Sequence, residues 1–168
     1  MRNKKSVKFM PAVLMVAVMV MIMLPMGFKS VKAAPTGSGT KDDPLIVDNF
    51  TDLKAALESK EKTYIVVNEF ANTEGKDYYE LRSGIDYDNS DYEYGVIRPS
   101  GYKNLVVNDC RIDCRENDND SVNAFIYMSD GELNISGNGT IAASLPANSA
   151  GDMNVIYNGY GNIIVDWS

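Results

Sequence analysis

The chain has 168 residues, with 16 basic and 23 acidic side chains and no histidine. Without histidine, this chain alone cannot run Ser-His-Asp or Cys-His catalysis, use a histidine general base or build a His-containing zinc site; carboxylate, Lys, Arg, Tyr, Ser and Cys chemistry remain. The acidic excess disfavours nucleic acid and electrostatic attachment to an anionic membrane surface, and leaves cation binding open.

Arg2, Lys4, Lys5 and Lys8 precede an apolar run over 12–26, and Val31-Lys32-Ala33 places small residues just before Ala34. That order predicts a secretory signal over 1–33, cut between Ala33 and Ala34, and hence a secreted or cell-surface protein. The alternative is an uncleaved anchor, since 9–28 approaches the roughly 20 residues that span a bilayer; membrane contact would then run through this segment only. Pro25 and Gly27 interrupt that stretch near its end. Cleavage removes six of the 16 basic residues and none of the 23 acidic ones, so the remaining 135 residues carry a net charge of −13. A chain of that length suits one domain.

Residues 34–43 read as a polar Gly/Ser/Thr/Pro linker, and Asp42-Asp43-Pro44 as a turn before Leu45-Ile46-Val47. A short helix follows: Asn49 can cap it, Asp52 lies in its first turn, Phe50, Leu53 and Leu57 share one face, and it ends near Lys60. Tyr64-Ile65-Val66-Val67 reads as a strand. From Asp77 to Tyr94, tyrosines alternate with acidic residues, a mixture suited to stacking sugar rings, at Tyr87, Tyr92 and Tyr94, or to holding calcium. The same segment also reads as a long solvated loop whose tyrosines pack on the protein wall.

Cys110 and Cys114 are four residues apart. In an extended strand their Cα atoms would be separated by roughly 13 Å, beyond the limit of about 7 Å for a disulfide, which predicts two buried free thiols. A tight turn that lets them bridge, or metal ligation, are the alternatives. Just beyond, Glu116, Asp118 and Asp120 offer clustered oxygen ligands for calcium, without the Gly and distal Glu of an EF-hand loop. An acidic turn between strands explains them equally well.

An internal repeat runs through the second half. Gly101-Tyr102-Lys103-Asn104-Leu105-Val106-Val107 returns 58 residues later as Gly159-Tyr160-Gly161-Asn162-Ile163-Ile164-Val165, and Gly131-Glu132-Leu133-Asn134-Ile135 lies between them. Aligned this way, Leu105, Leu133 and Ile163 form one inward stack at steps of 28 and 30. Val96-Ile97, Phe125-Ile126-Tyr127 and Val155-Ile156-Tyr157 recur at 29 and 30, and the same spacing sets Ile112 against Ile141 and Cys114 against Ala143. Paired strands returning after about 29 residues predict an all-β, parallel β-solenoid over 44–168, with an antiparallel sandwich as the alternative.

The segment Gly37-Ser38-Gly39-Thr40-Lys41-Asp42-Asp43-Pro44-Leu45-Ile46-Val47, followed by Phe50-Thr51-Asp52-Leu53-Lys54-Ala55-Ala56-Leu57, resembles the opening of secreted right-handed β-helix proteins of the pectin-lyase-like superfamily. The resemblance implies a short helix capping the N-terminal end of a right-handed parallel β-helix. Its catalytic patterns do not carry over. Arg98-Pro99-Ser100-Gly101-Tyr102 lacks the Arg-x-Pro-x-x-Arg spacing of pectate lyases, and the polygalacturonase-type arrangement needs a histidine. No catalytic residue is assigned.

The expectation is therefore an extracellular β-helix module that binds or displays toward a polysaccharide. The alternatives are a divergent or partial polysaccharide lyase and a purely structural piece of a larger surface protein. An uncapped last coil after Ser168 points to further chain or to an end-to-end contact with a partner or second copy.

Overall fold

The computed structural model describes residues 34–87, 95–116, 122–145 and 153–166; all but residue 34 belong to one compact unit, Pro35–Ser168. After strand β1 (Leu45–Ile46) comes the helix α1 (Phe50–Glu58). Nine strands follow: β2 (Tyr64–Val67), β3 (Tyr79–Leu81), β4 (Tyr102–Val107), β5 (Arg111–Glu116), β6 (Ala124–Met128), β7 (Glu132–Ser136), β8 (Thr140–Ser144), β9 (Asn154–Asn158) and β10 (Asn162–Asp166). Every strand-to-strand ladder is parallel. The first sheet has the order β1-β2-β4-β7-β10, the second β3-β5-β8 and the third β6-β9, joined to Ile97 by a parallel bridge. From β2 onward the chain visits first, second and third sheet in that order, three times, and then returns to the first at β10. The protein is thus all-β, built from parallel sheets with one short helix.

The helix forms where local chemistry dictates it. Asn49 is extended, and its side-chain oxygen accepts the Asp52 N–H at 3.1 Å, satisfying one of the amides a helix start leaves open. Phe50, Leu53, Ala56 and Leu57 make the buried face. Phe50 stacks on Tyr79 at 4.8 Å, and Leu57 O accepts the Ser100 N–H at 3.1 Å. Fully burying each large apolar side chain of this kind stabilises the fold by about 1.5–3 kcal/mol.

Within residues 34–43, read as a linker, 36–43 form a folded turn. Asp43 O accepts the amides of Ser38, Gly39 and Thr40, and Gly39 O accepts those of Thr63 and Tyr64 at the start of β2. Composition pointed to solvation, but backbone pairing with a neighbouring strand holds the segment.

Alternation along the first sheet sends Ile65, Val67, Leu105, Val107, Leu133 and Ile135 inward. The ladder runs Ile65 to Leu105 to Ile135 to Val165, and beside it Lys103 to Leu133 to Ile163. This corrects the expected stack of Leu105, Leu133 and Ile163: Leu133 meets Ile163 as anticipated, but stands on Lys103 rather than Leu105. The corners decide the register. Gly131 has φ +73 and lies so close to Gly101 that a Cβ there would come within 2.2 Å of Gly101 O; Gly101 O and Gly131 O in turn accept the amides of Glu132 and Asn162. Stacked corners at 101, 131 and 161 therefore impose steps of 30. The resemblance between 101–107 and 159–165 is offset by two residues from this stacking, and two residues leave inside and outside unchanged.

Lys103 thus occupies an inward place. It is fully buried, and its Nζ donates to Ser59 O and, at 2.7 Å, to Lys62 O. Burial pushes its ammonium below the ordinary lysine value. The other columns agree with the spacing read from the sequence: Ile97 with Ile126, Ile126 with Ile156, Ile112 with Ile141 and Cys114 with Ala143.

Candidate functional site

Of the three tyrosines expected to stack on sugar, Tyr92 and Tyr94 lie outside the described residues. Tyr87 does not present its ring to solvent: it is 3% exposed within the core, and its hydroxyl donates to Glu116 Oε1 at 2.6 Å. The stacking role expected of Tyr87 is corrected accordingly, and the packing alternative describes it. The same bond draws Glu116 inward, to 3% exposure. Its expected companions in a calcium site, Asp118 and Asp120, are outside the described residues. Among those described, no three His, Cys, Asp or Glu side chains gather as metal ligands. Ala33 and the rest of 1–33 are also outside; Ala34 is exposed. Among the described residues no helix is long and apolar enough to cross a membrane.

Beside Tyr87, Asp86 is likewise buried. Its Oδ1 accepts the Tyr79 hydroxyl at 2.9 Å, and its Oδ2 accepts Arg82 N and Nε at 2.9 and 3.2 Å. Burial, reinforced by the bond to Asp86, pushes the Tyr79 hydroxyl up to about 12. These groups are held as neutral donors or paired carboxylates that lock the 79–87 turn.

Both cysteines are free thiols. Cys114 lies fully inward on β5, and burial raises its thiol well above the ordinary value. Cys110 departs from the expectation in one respect: it precedes β5, is half-buried and turns its sulfur toward Val67 O at 3.6 Å. Burial, with the charge of Asp109, raises its thiol too. Neither is set up as a nucleophile.

The outward face of the first sheet carries a polar array that residue-by-residue reading missed. Asn134 Nδ2 donates to Tyr102 Oη and Glu132 Oε1, each at 3.0 Å; Asn162 Nδ2 donates to Glu132 Oε2 at 3.1 Å; Tyr102 Oη donates to Asn104 Oδ1 at 3.3 Å. The network crosses β4, β7 and β10, with Tyr102 46% exposed. Round the corner Tyr127 and Tyr157 stack at 5.5 Å and 8°, and Tyr160 is 89% exposed. The signal for this array lay in the outward parity of the repeat: amides at 104, 134 and 162 land together once the strands are paired. Chemically it offers fixed amide and carboxylate partners beside an aromatic ring, the groups that bind sugar hydroxyls and the apolar faces of sugar rings.

No family model matches the chain, and no curated protein and no solved structure matches it.

Proposed function

We propose that the three parallel sheets are the faces of a right-handed β-helix, capped at its first coil by α1, and that the protein is a secreted or cell-surface module that binds a glycan. Support for the helix comes from the constant visiting order of the sheets and from the near-universal right-handedness of parallel crossovers. Support for export comes from the three-part segment over 1–33.

The observation that carries glycan binding is the network of Tyr102, Asn104, Asn134, Glu132 and Asn162. Tyr102 and Asn162 are exposed while Asn104, Glu132 and Asn134 are half-buried, and the polar atoms that the hydrogen bonds join are already oriented, so little ordering cost remains for a ligand. Affinity electrophoresis of the purified protein through gels containing neutral or acidic polysaccharides tests it. At least one polysaccharide should retard the protein, and Tyr102→Ala together with Glu132→Gln should abolish the retardation. Retardation that survives both changes, or none across the panel with folded protein, would reject the reading.

A structural, self-associating role has one observation in its favour. Strands β8, β9 and β10 each end their sheet, and Val165 at that end is 44% exposed while Ile163 and Ile156 are half-buried. Parallel edges without a further strand among the described residues invite strand pairing. A concentration-dependent mass in solution would favour this second reading.

A further inference from the structure

The outward face of the second sheet holds a cluster that the glycan reading does not use. Alternation along β5 turns Arg111, Asp113 and Arg115 away from the inward Ile112, Cys114 and Glu116. Asp113 Oδ2 accepts Arg111 Nε at 3.0 Å and Arg115 Nη2 at 3.0 Å, and Oδ1 accepts Arg115 Nε at 3.3 Å. The Arg115 guanidinium also lies 4.3 Å from the centre of the Tyr78 ring, and Lys76 Nζ lies 5.2 Å from the same ring. The carboxylate side chain is 5% exposed, whereas those of Arg111 and Arg115 are 56% and 41% exposed. The cations cover the acid that holds them and face solvent themselves.

The next strand leaves room beside them. Arg111, Asp113 and Arg115 pair in register with Thr140, Ala142 and Ser144 of β8, the outer strand of this sheet. Thr140 and Ser144 are exposed, and Ala142 contributes only a methyl. The hydrogen bonds to Asp113 leave both terminal nitrogens of Arg111 and one of Arg115 without a partner in the described structure. Lys76 pairs with Glu80, and the charge of Asp77 also acts on Arg115, so the cluster sets three cations against three carboxylates, and its donors come from geometry rather than from a surplus of charge.

We infer that this face is an oxyanion site that takes a phosphate or sulfate group above Ala142. Arg111 and Arg115 supply charge-assisted donors, Thr140 and Ser144 supply hydroxyls, and Asp113 is a positioning residue that fixes both guanidiniums before the ligand arrives. A tetrahedral group suits donors that come from two guanidiniums and two hydroxyls on a neighbouring strand, because its oxygens point out of any one plane. The ordering cost that flexible arginines would meet on binding is already met by the Asp113 and Tyr78 contacts.

Titration of the full chain with inorganic phosphate, sulfate and acetate at low ionic strength, following the arginine Nε–H signals by NMR, tests the site. Phosphate, sulfate or both should shift Arg111 and Arg115 saturably, and the tighter of the two identifies the group. Arg111→Lys with Arg115→Lys keeps the charge, loses the fork, and should weaken binding about tenfold, the size expected for charge-assisted hydrogen bonds. Asp113→Asn makes the face more positive, yet should also weaken binding. Shifts that do not saturate, acetate binding as tightly as either tetrahedral ion, full binding by the double lysine variant, or tighter binding by a folded Asp113→Asn variant would each overturn the inference.

Discussion

Leu133 and Ile163 occupy the same column of the first sheet, one strand apart, and differ in what lies beyond them. Leu133 has Lys103 on one side and Ile163 on the other and is fully buried; Ile163 is on the outer strand and only half-buried. Sequence pattern is nearly the same in the two strands, Glu132-Leu133-Asn134-Ile135 against Asn162-Ile163-Ile164-Val165. Burial in stacked parallel strands is therefore conferred by neighbours rather than by the strand's own composition, and stability should fall toward β10, the outer strand among the described residues.

The strongest break of that comparison is Leu133→Ala. A buried leucine cut to alanine in a site with neighbours on both sides should cost about 3–5 kcal/mol. Ile163→Ala removes a similar volume from a half-exposed place and should cost about 1–2 kcal/mol, less than the core range because the edge strand frays. Urea unfolding of both variants measures the difference, and equal losses would show that the edge is covered in solution. Outward in the same strand as Leu133, Glu132→Gln should shift stability by no more than about 0.5 kcal/mol, because its hydrogen bonds are at the surface.

A pH prediction separates the second sheet from the first. Burial alone would raise the Asp113 carboxyl, but hydrogen bonds and charge from Arg115 and Arg111 outweigh it and hold the group below the ordinary carboxylate value of 3.8. A depressed carboxyl contributes stability that is present above its unfolded value and lost as pH falls through its folded value. Asp113→Asn should thus flatten the acid limb of a stability profile below about pH 4. An unchanged limb would mean that the Arg111 and Arg115 contacts do not persist in solution.

What could be read from the residues follows the range of the interaction involved. The Asn49 cap and the Phe50, Leu53 and Leu57 face depend on near neighbours and were legible. So were the columns joining Ile97, Ile126 and Ile156, or Ile112 and Ile141, where one apolar residue of each pair has a single counterpart at the right spacing. The Leu105 column was misaligned because alternation is blind to a shift of two; only the glycine corners at 101, 131 and 161, where backbones nearly touch, distinguish the registers. Lys103 was hidden for the same reason, since a lysine at an inward place is tolerable only because the carbonyls of Ser59 and Lys62 receive it. Tyr87 and Glu116 looked like surface groups because each is the other's partner, 29 residues away in sequence. The bonds that carry the outward network across β4, β7 and β10 depend on register and were not visible before the strands were paired, whereas the Arg111, Asp113 and Arg115 contacts span two residues of one strand, and only their setting beside Thr140 and Ser144 needed the pairing.

The register itself is open to direct test by cross-linking, in a Cys110→Ser, Cys114→Ala background. Asn104 and Asn134 are ladder partners, so Asn104→Cys with Asn134→Cys places Cα atoms about 4.8 Å apart, within disulfide reach. The register suggested by motif similarity would instead pair Asn104 with Glu132, which the structure sets two residues further along the strand, at about 8 Å and out of reach. After mild oxidation, a non-reducing gel should show the compact, cross-linked band for the 104/134 pair and none for Asn104→Cys with Glu132→Cys. The opposite pattern, or equal bridging in both, would contradict the 30-residue parallel stacking on which this account of the fold and its surfaces rests.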